Sequence, residues 1–421
     1  MSRLVYTLVL LALLPWAVLH LLWRARRQPE YRQHWNERFG RFPARPDTAR
    51  PLIWIHAVSV GETRAAQPLV AALRRRFPDH GVLLTHMTPT GRQTGAALFG
   101  DSVRQAYLPY DTPWAVARFL DHFRPCLGLV METELWPNLV AACRRRHLPL
   151  LLVNARLSER SAARYRRVAP LTRGALGGLT AVGAQGRRDA ERLTALGASA
   201  PVVTGNLKFD ITPPPDQAAL AEEFRRRVGP RPVFLCASTR EGEEAEILAA
   251  WKTHPVTDTL LVIVPRHPQR FDTVAGAVAA AGLRVQRRSD GTSVEPGTDV
   301  WLGDSMGELF AYYGAADLAF VGGSLLQFGS QNLIEPCAAG VPVLIGPSTY
   351  NFAEAAREAL AAGAAVQVAN AAALIVKARE LLADPAARAA MGEAGRAFAA
   401  GHRGATERTL QLIEAAIRAT R

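Results

Sequence analysis

The chain has 421 residues, 49% of them hydrophobic and 21% charged, with 50 Lys+Arg against 37 Asp+Glu and a formal charge of +13. That length suits two to three domains of about 150 residues each, and the composition excludes a mostly disordered chain. Four scattered cysteines (Cys126, Cys143, Cys236 and Cys337) show no CxxC or Cys/His spacing, which argues against a disulfide framework or a zinc site.

The basic surplus admits three partners: nucleic acid, an anionic membrane surface or an acidic substrate. Nearly all of it is arginine. Lys208, Lys252 and Lys377 are the only lysines, so arginine content reads as a coding bias and a retained lysine draws notice.

From Leu4 to Trp23 runs an apolar stretch whose only ionisable side chains are Tyr6 and His20, long enough for a hydrocarbon core of about 30 Å. Arg3 precedes it, while Arg24, Arg26, Arg27, Arg32, Arg38, Arg41, Arg45 and Arg50 follow. That asymmetry predicts an uncleaved transmembrane anchor over residues 1–23, with the following domain on the cytoplasmic side. Beside an anchor, the arginines suit anionic headgroups.

Beyond Pro51, short apolar runs alternate with helical stretches. PLIWIHAV, GVLLTHM, RPCLGLVME, LPLLLVNAR and GLTAVGA read as buried parallel strands. The triplets Arg74–Arg76 and Arg144–Arg146 close helices, where cations suit the negative dipole end. A Pro-rich break at Thr212–Asp216 separates a second series: RPVFLCAST, TLLVIVPRH, LRVQRR, TDVWLGD, ADLAFVGG and VPVLIG. Residues from Ala353 onward read as Ala-rich and helical. The pattern predicts an α/β protein with two Rossmann-like domains facing a cleft, over 24–211 and 231–421, with 212–230 as linker.

Candidate chemistry falls at strand ends. Glu62 follows the first strand near a helix N-terminus, where the dipole would favour the carboxylate needed by a general base. Glu132 ends another buried run and calls for a cationic partner. Lys208 precedes the domain break, and its ammonium would suit charge developing on a leaving phosphate. In the second half, Ser238–Glu241 and Ser305–Glu308 match the capping-box spacing. Arg266 and His267 end a strand, and Gly322-Gly323 follows another. Glycines there let backbone approach phosphate, and Glu335 at a helix start could grip ribose hydroxyls. No Walker or dinucleotide glycine motif and no D-x-D spacing occurs, which favours metal-independent chemistry with no cofactor.

Taken together, HAVSVGET (56–63), HMTPTGRQTG (86–95), METELWPN (131–138), LVNARLSERS (152–161), GNLKFD (205–210), PRHPQRF (265–271), GDSMGEL (303–309) and QNLIEPCAAGVPVLIGP (331–347) resemble the bacterial 3-deoxy-D-manno-octulosonic acid (Kdo) transferases over nearly the whole chain. The resemblance implies the GT-B fold. It also implies inverting transfer of Kdo from CMP-Kdo to the tetra-acylated lipid A precursor, at the cytoplasmic face of the inner membrane. It makes Glu62 the proton acceptor, and Glu132 with Lys208 the transition-state stabilisers. Arg266, His267, Met306, Gly307, Glu308, Asn332, Leu333, Ile334 and Glu335 fall in the nucleotide-binding segments. Ser59, Arg64, Thr88 and Arg92 fall on the acceptor side. Ser330 and Ser348 depart from the family pattern, where glycine and histidine are frequent. Two other readings are a GT-B transferase using a UDP-sugar and a basic membrane-associated nucleic-acid binder. The arginines lack interleaved aromatics, which argues against nucleic acid as a partner.

Overall fold

Unbroken runs of Leu, Ile and Val leave no polar face, so these strands must be covered on both sides, and parallel sheets between helices do that. The computed structural model describes residues 1–43, 50–210 and 215–420. Its first sheet holds β1 (Leu52–His56), β2 (Gly81–His86), β3 (Arg104–Tyr107), β4 (Pro125–Met131), β5 (Leu150–Ala155), β6 (Ala181–Ala184) and β7 (Val202–Val203). All are parallel, in the order β3-β2-β1-β4-β5-β6-β7. The second sheet holds β8 (Val233–Thr239), β9 (Leu260–Pro265), β10 (Val285–Arg287), β11 (Val300–Leu302), β12 (Leu318–Val321), β13 (Val343–Ile345) and β14 (Ala365–Gln367). It repeats the plan, in the order β10-β11-β9-β8-β12-β13-β14.

Each sheet reverses its winding once, between β1 and β4 in the first and between β8 and β12 in the second. The crevice beyond the carboxyl ends of such strands is where doubly wound sheets bind ligands.

The chain divides into two compact units, one of Met1–Ile211 with Arg403–Arg421 and one of Thr212–His402. This differs from the expected 231–421 domain at both ends. The closing helix, Ala405–Thr420, returns to the first unit because Ala405, Leu410, Ile413 and Ala416 form an apolar stripe buried with Leu69, Leu73 and Leu207. Arg76 pairs with Glu414 on that helix, so one of the helix-closing arginines has a fixed partner. The expected linker is mostly structured as well. Its Thr212–Pro214 portion lies outside the described residues, but Pro215–Val228 is a helix of the second unit. Phe224 anchors it, with ring centroids 5.1 Å from Trp301 and 4.8 Å from Tyr312.

At the amino end, Arg3–Arg27 forms one 25-residue helix, long and apolar enough to cross a membrane. One face rests on the first unit: the Tyr6 hydroxyl donates to Asp111 Oδ2 at 3.1 Å, and Thr7 pairs with Asn138. The opposite face, with Leu4, Leu8, Leu13, Trp16 and Leu19, is more than half exposed. Not all of the expected basic patch lies at the surface. Arg38 is buried, stacked 4.1 Å over the Tyr107 ring and donating to the Met87 carbonyl, because it joins a core cluster with Glu37. Arg45 lies outside the described residues.

Candidate active site

The loop after β1 turns sharply into a short helix, Val60–Ala65, capped by Ser59. Glu62 folds back across this turn. Its Oε2 accepts from the Val58 N–H at 2.8 Å and its Oε1 from the Ser59 hydroxyl at 3.0 Å. Thr88, the N-cap of the next helix over Pro89–Phe99, braces the same loop by donating to the Val58 carbonyl at 3.2 Å. The carboxyl group is therefore fixed in place, and only 8% of the residue is exposed.

Burial also governs its charge. The Glu62 carboxyl is pushed up to about 8, first by loss of water and second by the negative charge of Glu132. The Val58 and Ser59 hydrogen bonds oppose the shift without cancelling it. This corrects the expectation that the helix dipole would keep Glu62 ionised. A dipole contributes roughly 0.3–1 kcal/mol. A rise from 4.5 to about 8 corresponds to about 5 kcal/mol favouring the neutral form.

Glu132 follows β4 and takes a left-handed backbone, φ 55°. For a residue with a Cβ that conformation is strained, and such strain gathers at functional sites. Its Oε1 lies 3.6 Å from Lys208 Nζ, which supplies the cation that its buried strand end required. Lys208 rides on a single turn, Leu207–Asp210. Two residues outside the sequence reading position that turn. Asn154 is fully buried at φ 52° and accepts from the Leu207 N–H at 3.0 Å through its side-chain oxygen. Asp210 accepts from the Gly404 and Thr406 N–H groups at 2.7 and 2.6 Å, joining the closing helix to the Lys208 turn. Their signal in the sequence was only that both stand inside the quoted motifs.

His56 and His86 are not acid–base candidates. Burial lowers His56 to about 3 and His86 to about 4, so both rings are neutral hydrogen-bonding members of the core. Of the acceptor-side residues, Ser59 and Thr88 hold the Glu62 loop, while Arg64 is exposed beside it. Arg92 is committed elsewhere, pairing with Glu37 at 2.7 Å and lying 5.1 Å from the Tyr107 ring centre.

In the second unit, the ends of β8, β9 and β12 build a separate cluster. Gly322 must be glycine here, because a Cβ would stand 2.5 Å from the Ser238 carbonyl oxygen. Arg266 donates its Nε to Gln331 at 3.2 Å. His267 lies 3.0 Å from Arg240 Nη1, and burial together with the Arg240, Arg266 and Arg270 charges lowers its affinity for a proton. Asn332 donates to Glu335 at 2.9 Å and accepts from the Ile334 N–H at 3.0 Å, so one side chain fixes the start of the helix over Ile334–Ala339. Leu333 and Ile334 are buried beneath it.

Neither expected capping box forms. Gly242 caps the helix over Glu243–Thr253 without a side-chain bond, since Ser238 ends β8 at φ 56°. Glu243 takes the organising role instead: fully buried, it accepts from the N–H groups of Arg240 (2.8 Å), Gly323 (2.7 Å) and Leu325 (3.0 Å). Glu308 is gripped by Arg288 through two 2.8 Å bonds, which outcompetes capping by Ser305. Gly307, at φ 83°, and the exposed Met306 form the turn before it. Ser330 stands at φ 68°, the conformation a glycine would suit. Ser348 accepts from the Gly329 N–H at 3.0 Å. Among the described residues, no three His, Cys, Asp or Glu side chains gather as a metal site.

Comparison with known proteins names the architecture. A family model described as 3-deoxy-D-manno-octulosonic-acid transferase (kdotransferase) matches residues 33–211, and one described as glycosyl transferases group 1 matches residues 266–398. The 3-deoxy-D-manno-octulosonic acid transferase of Bordetella pertussis is 49% identical across 98% of this chain and 99% of its own length. That of Haemophilus influenzae is 37% identical across 98% of each. Among solved structures, a glycosyltransferase from Rickettsia africae covers 88% of this chain and 99% of its own at a TM-score of 0.59 and 14% identity, which shows the shared two-domain GT-B fold.

Proposed function

The chain belongs to the 3-deoxy-D-manno-octulosonic acid transferase family, and from that premise we propose that it moves Kdo from CMP-Kdo to the tetra-acylated lipid A precursor, with inversion and without a metal ion. One observation carries the chemical part: a buried carboxyl, Glu62, held at both oxygens beside the charge of Glu132, itself within 3.6 Å of Lys208.

Glu62 in its ionised form accepts the proton of the acceptor hydroxyl as that oxygen attacks the anomeric carbon. The bond from that carbon to the phosphate oxygen of CMP breaks, and the electron pair leaves with CMP. Attack from the face opposite the phosphate inverts the centre. Glu62's raised proton affinity makes it the stronger base once ionised. The Lys208 ammonium, steadied by Glu132, offsets negative charge that grows in the transition state.

We assign the nucleotide to the second unit. Arg266, with Arg240 and His267 beside it, faces an anionic phosphodiester, and Glu335 with Asn332 suits ribose hydroxyls. Cations and backbone N–H groups suffice for a single bridging phosphate, which supports a reaction without a metal. The apolar helix over Arg3–Arg27 and the exposed arginines Arg24, Arg26, Arg32 and Arg41 suit attachment at the cytoplasmic face of the inner membrane, where the lipid acceptor resides.

Purified protein given CMP-Kdo and the lipid A precursor should release CMP, and Glu62→Gln should nearly abolish release while CMP binding persists. A larger thermal shift with UDP than with CMP would overturn the donor assignment. Full turnover by Glu62→Gln would overturn the base.

A further inference from the structure

The arginine pair Arg144 and Arg145 closes the Pro137–Arg145 helix, and dipole stabilisation accounts for cations there. It does not account for what lies beside them. A groove of about 500 Å³ opens between this helix and the Ala169–Leu176 helix. Its walls are apolar, from Pro137, Val140, Ala141, Leu171 and Ala175, and its rim carries Arg3, Arg144, Arg145 and His147. Among the described residues, no acidic side chain lines it. Among the described residues, neither Arg144 nor Arg145 pairs with a carboxylate, whereas the third member of the triplet, Arg146, pairs with Asp121 at 2.9 Å.

The groove adjoins the apolar amino-terminal helix. Arg3, on its rim, is the first residue of that helix, and Tyr6 and Thr7 seat the same end on Asp111 and Asn138, next to Pro137. Leu4, Val5 and Leu8 of that helix point outward, exposed by 70%, 46% and 57%. A lipid layer covering this face therefore reaches the mouth of the groove.

We propose that the groove binds one anionic phospholipid, its phosphate between Arg3, Arg144 and Arg145 and an acyl chain on the apolar walls. The site is distinct from the Glu62 cluster and does not depend on the transfer reaction. Charge selects the headgroup, and the groove selects for a chain, so free phosphate lacks half of the recognition.

Gly174 supplies a clean test. It sits in the Ala169–Leu176 helix on the groove wall, and a Cβ built there meets nothing within 4 Å. A leucine Cβ at position 174 therefore meets no clash, its branched end extends into the groove, and a helix favours leucine over glycine. The full chain in neutral detergent is mixed with phosphatidylglycerol or phosphatidylcholine, and retained lipid is read by native mass spectrometry. The wild type should retain one phosphatidylglycerol in preference to phosphatidylcholine, and Gly174→Leu should lose it. Arg144→Gln with Arg145→Gln should cut the preference by about 25-fold, each arginine contributing about fivefold. Wild-type retention by Gly174→Leu would overturn the proposal, as would displacement by inorganic phosphate. If Gly174→Leu instead raises KM for the lipid acceptor with lipid retention unchanged, the groove belongs to the substrate and the proposal fails.

Discussion

Because Glu62 is held mostly protonated at neutral pH, turnover should be limited by the fraction of enzyme in which it is ionised. With its carboxyl at about 8, about one molecule in ten carries the carboxylate at pH 7. The rate of CMP release at low substrate should therefore climb about tenfold per pH unit up to pH 7 and level off above about 8. Glu132→Gln removes the second-largest cause of the shift, so the midpoint should move to lower pH even as the plateau falls through loss of the Lys208 partner. Stability gives an independent reading of the same group. Since the folded-state value lies above the ordinary 4.5, the native protein binds more protons than the unfolded chain between about 4.5 and 8. Stability from this group is thus complete below about 4.5 and is lost as pH rises through about 8. Glu62→Gln removes that loss, so the variant should gain on wild type by about 1.4 kcal/mol per pH unit across the window, with a ceiling of about 5 kcal/mol. Denaturant unfolding at pH 5 and pH 8 measures the difference. A rate midpoint below pH 6, or an advantage of Glu62→Gln over wild type no larger at pH 8 than at pH 5, would refute the account.

Lys208→Arg should lower kcat by at least tenfold with little change in KM for CMP-Kdo, because a planar guanidinium cannot take the place of a compact ammonium 3.6 Å from Glu132. Asp210→Ala should cost about 2–4 kcal/mol, read by urea unfolding, through loss of two charge-assisted bonds to Gly404 and Thr406. Glu243→Gln turns an amide N–H toward backbone donors it cannot accept from, so nucleotide affinity should drop tenfold or more by calorimetry while the Glu62 pH midpoint stays fixed. Ser330→Gly should leave stability within about 1 kcal/mol of wild type, since relief at φ 68° offsets the added chain entropy, whereas Ser330→Val should destabilise clearly.

The parallel sheets were legible because their central strands are apolar without alternation; Glu62 and Glu132 stood out as candidates because they follow such runs, and Lys208 because lysine is rare in this chain and it precedes the domain break. What escaped was decided by partners distant in sequence or by burial depth. Strands β3, β7 and β14 are sheet-edge or near-edge pieces of two to four residues, such as the half-polar Arg104–Tyr107, too short to carry a period. The spacing of Ser305 and Glu308 reads locally as a cap, yet Arg288, twenty residues upstream, takes the carboxylate. Likewise, the helix start at Glu62 is visible in the sequence, but the charge state is set first by burial and then by Glu132, whose approach depends on β1 and β4 being neighbours. Strain was equally silent. Glu132, Asn154 and Ser238 carry no sign of it in sequence, and Ser330 only that it stands where glycine is frequent, yet all four adopt positive φ at or just beyond strand ends, or in the loop joined to Gly322-Gly323. At roughly 1–2 kcal/mol each, such conformations persist only where surrounding structure enforces them. Each stands next to a proposed site residue: Glu132 itself, Leu207 beneath Lys208 through Asn154, the Arg240 turn after Ser238, and Gln331 against Arg266 after Ser330. In both units, then, the strained turns fall beside the residues proposed for the site.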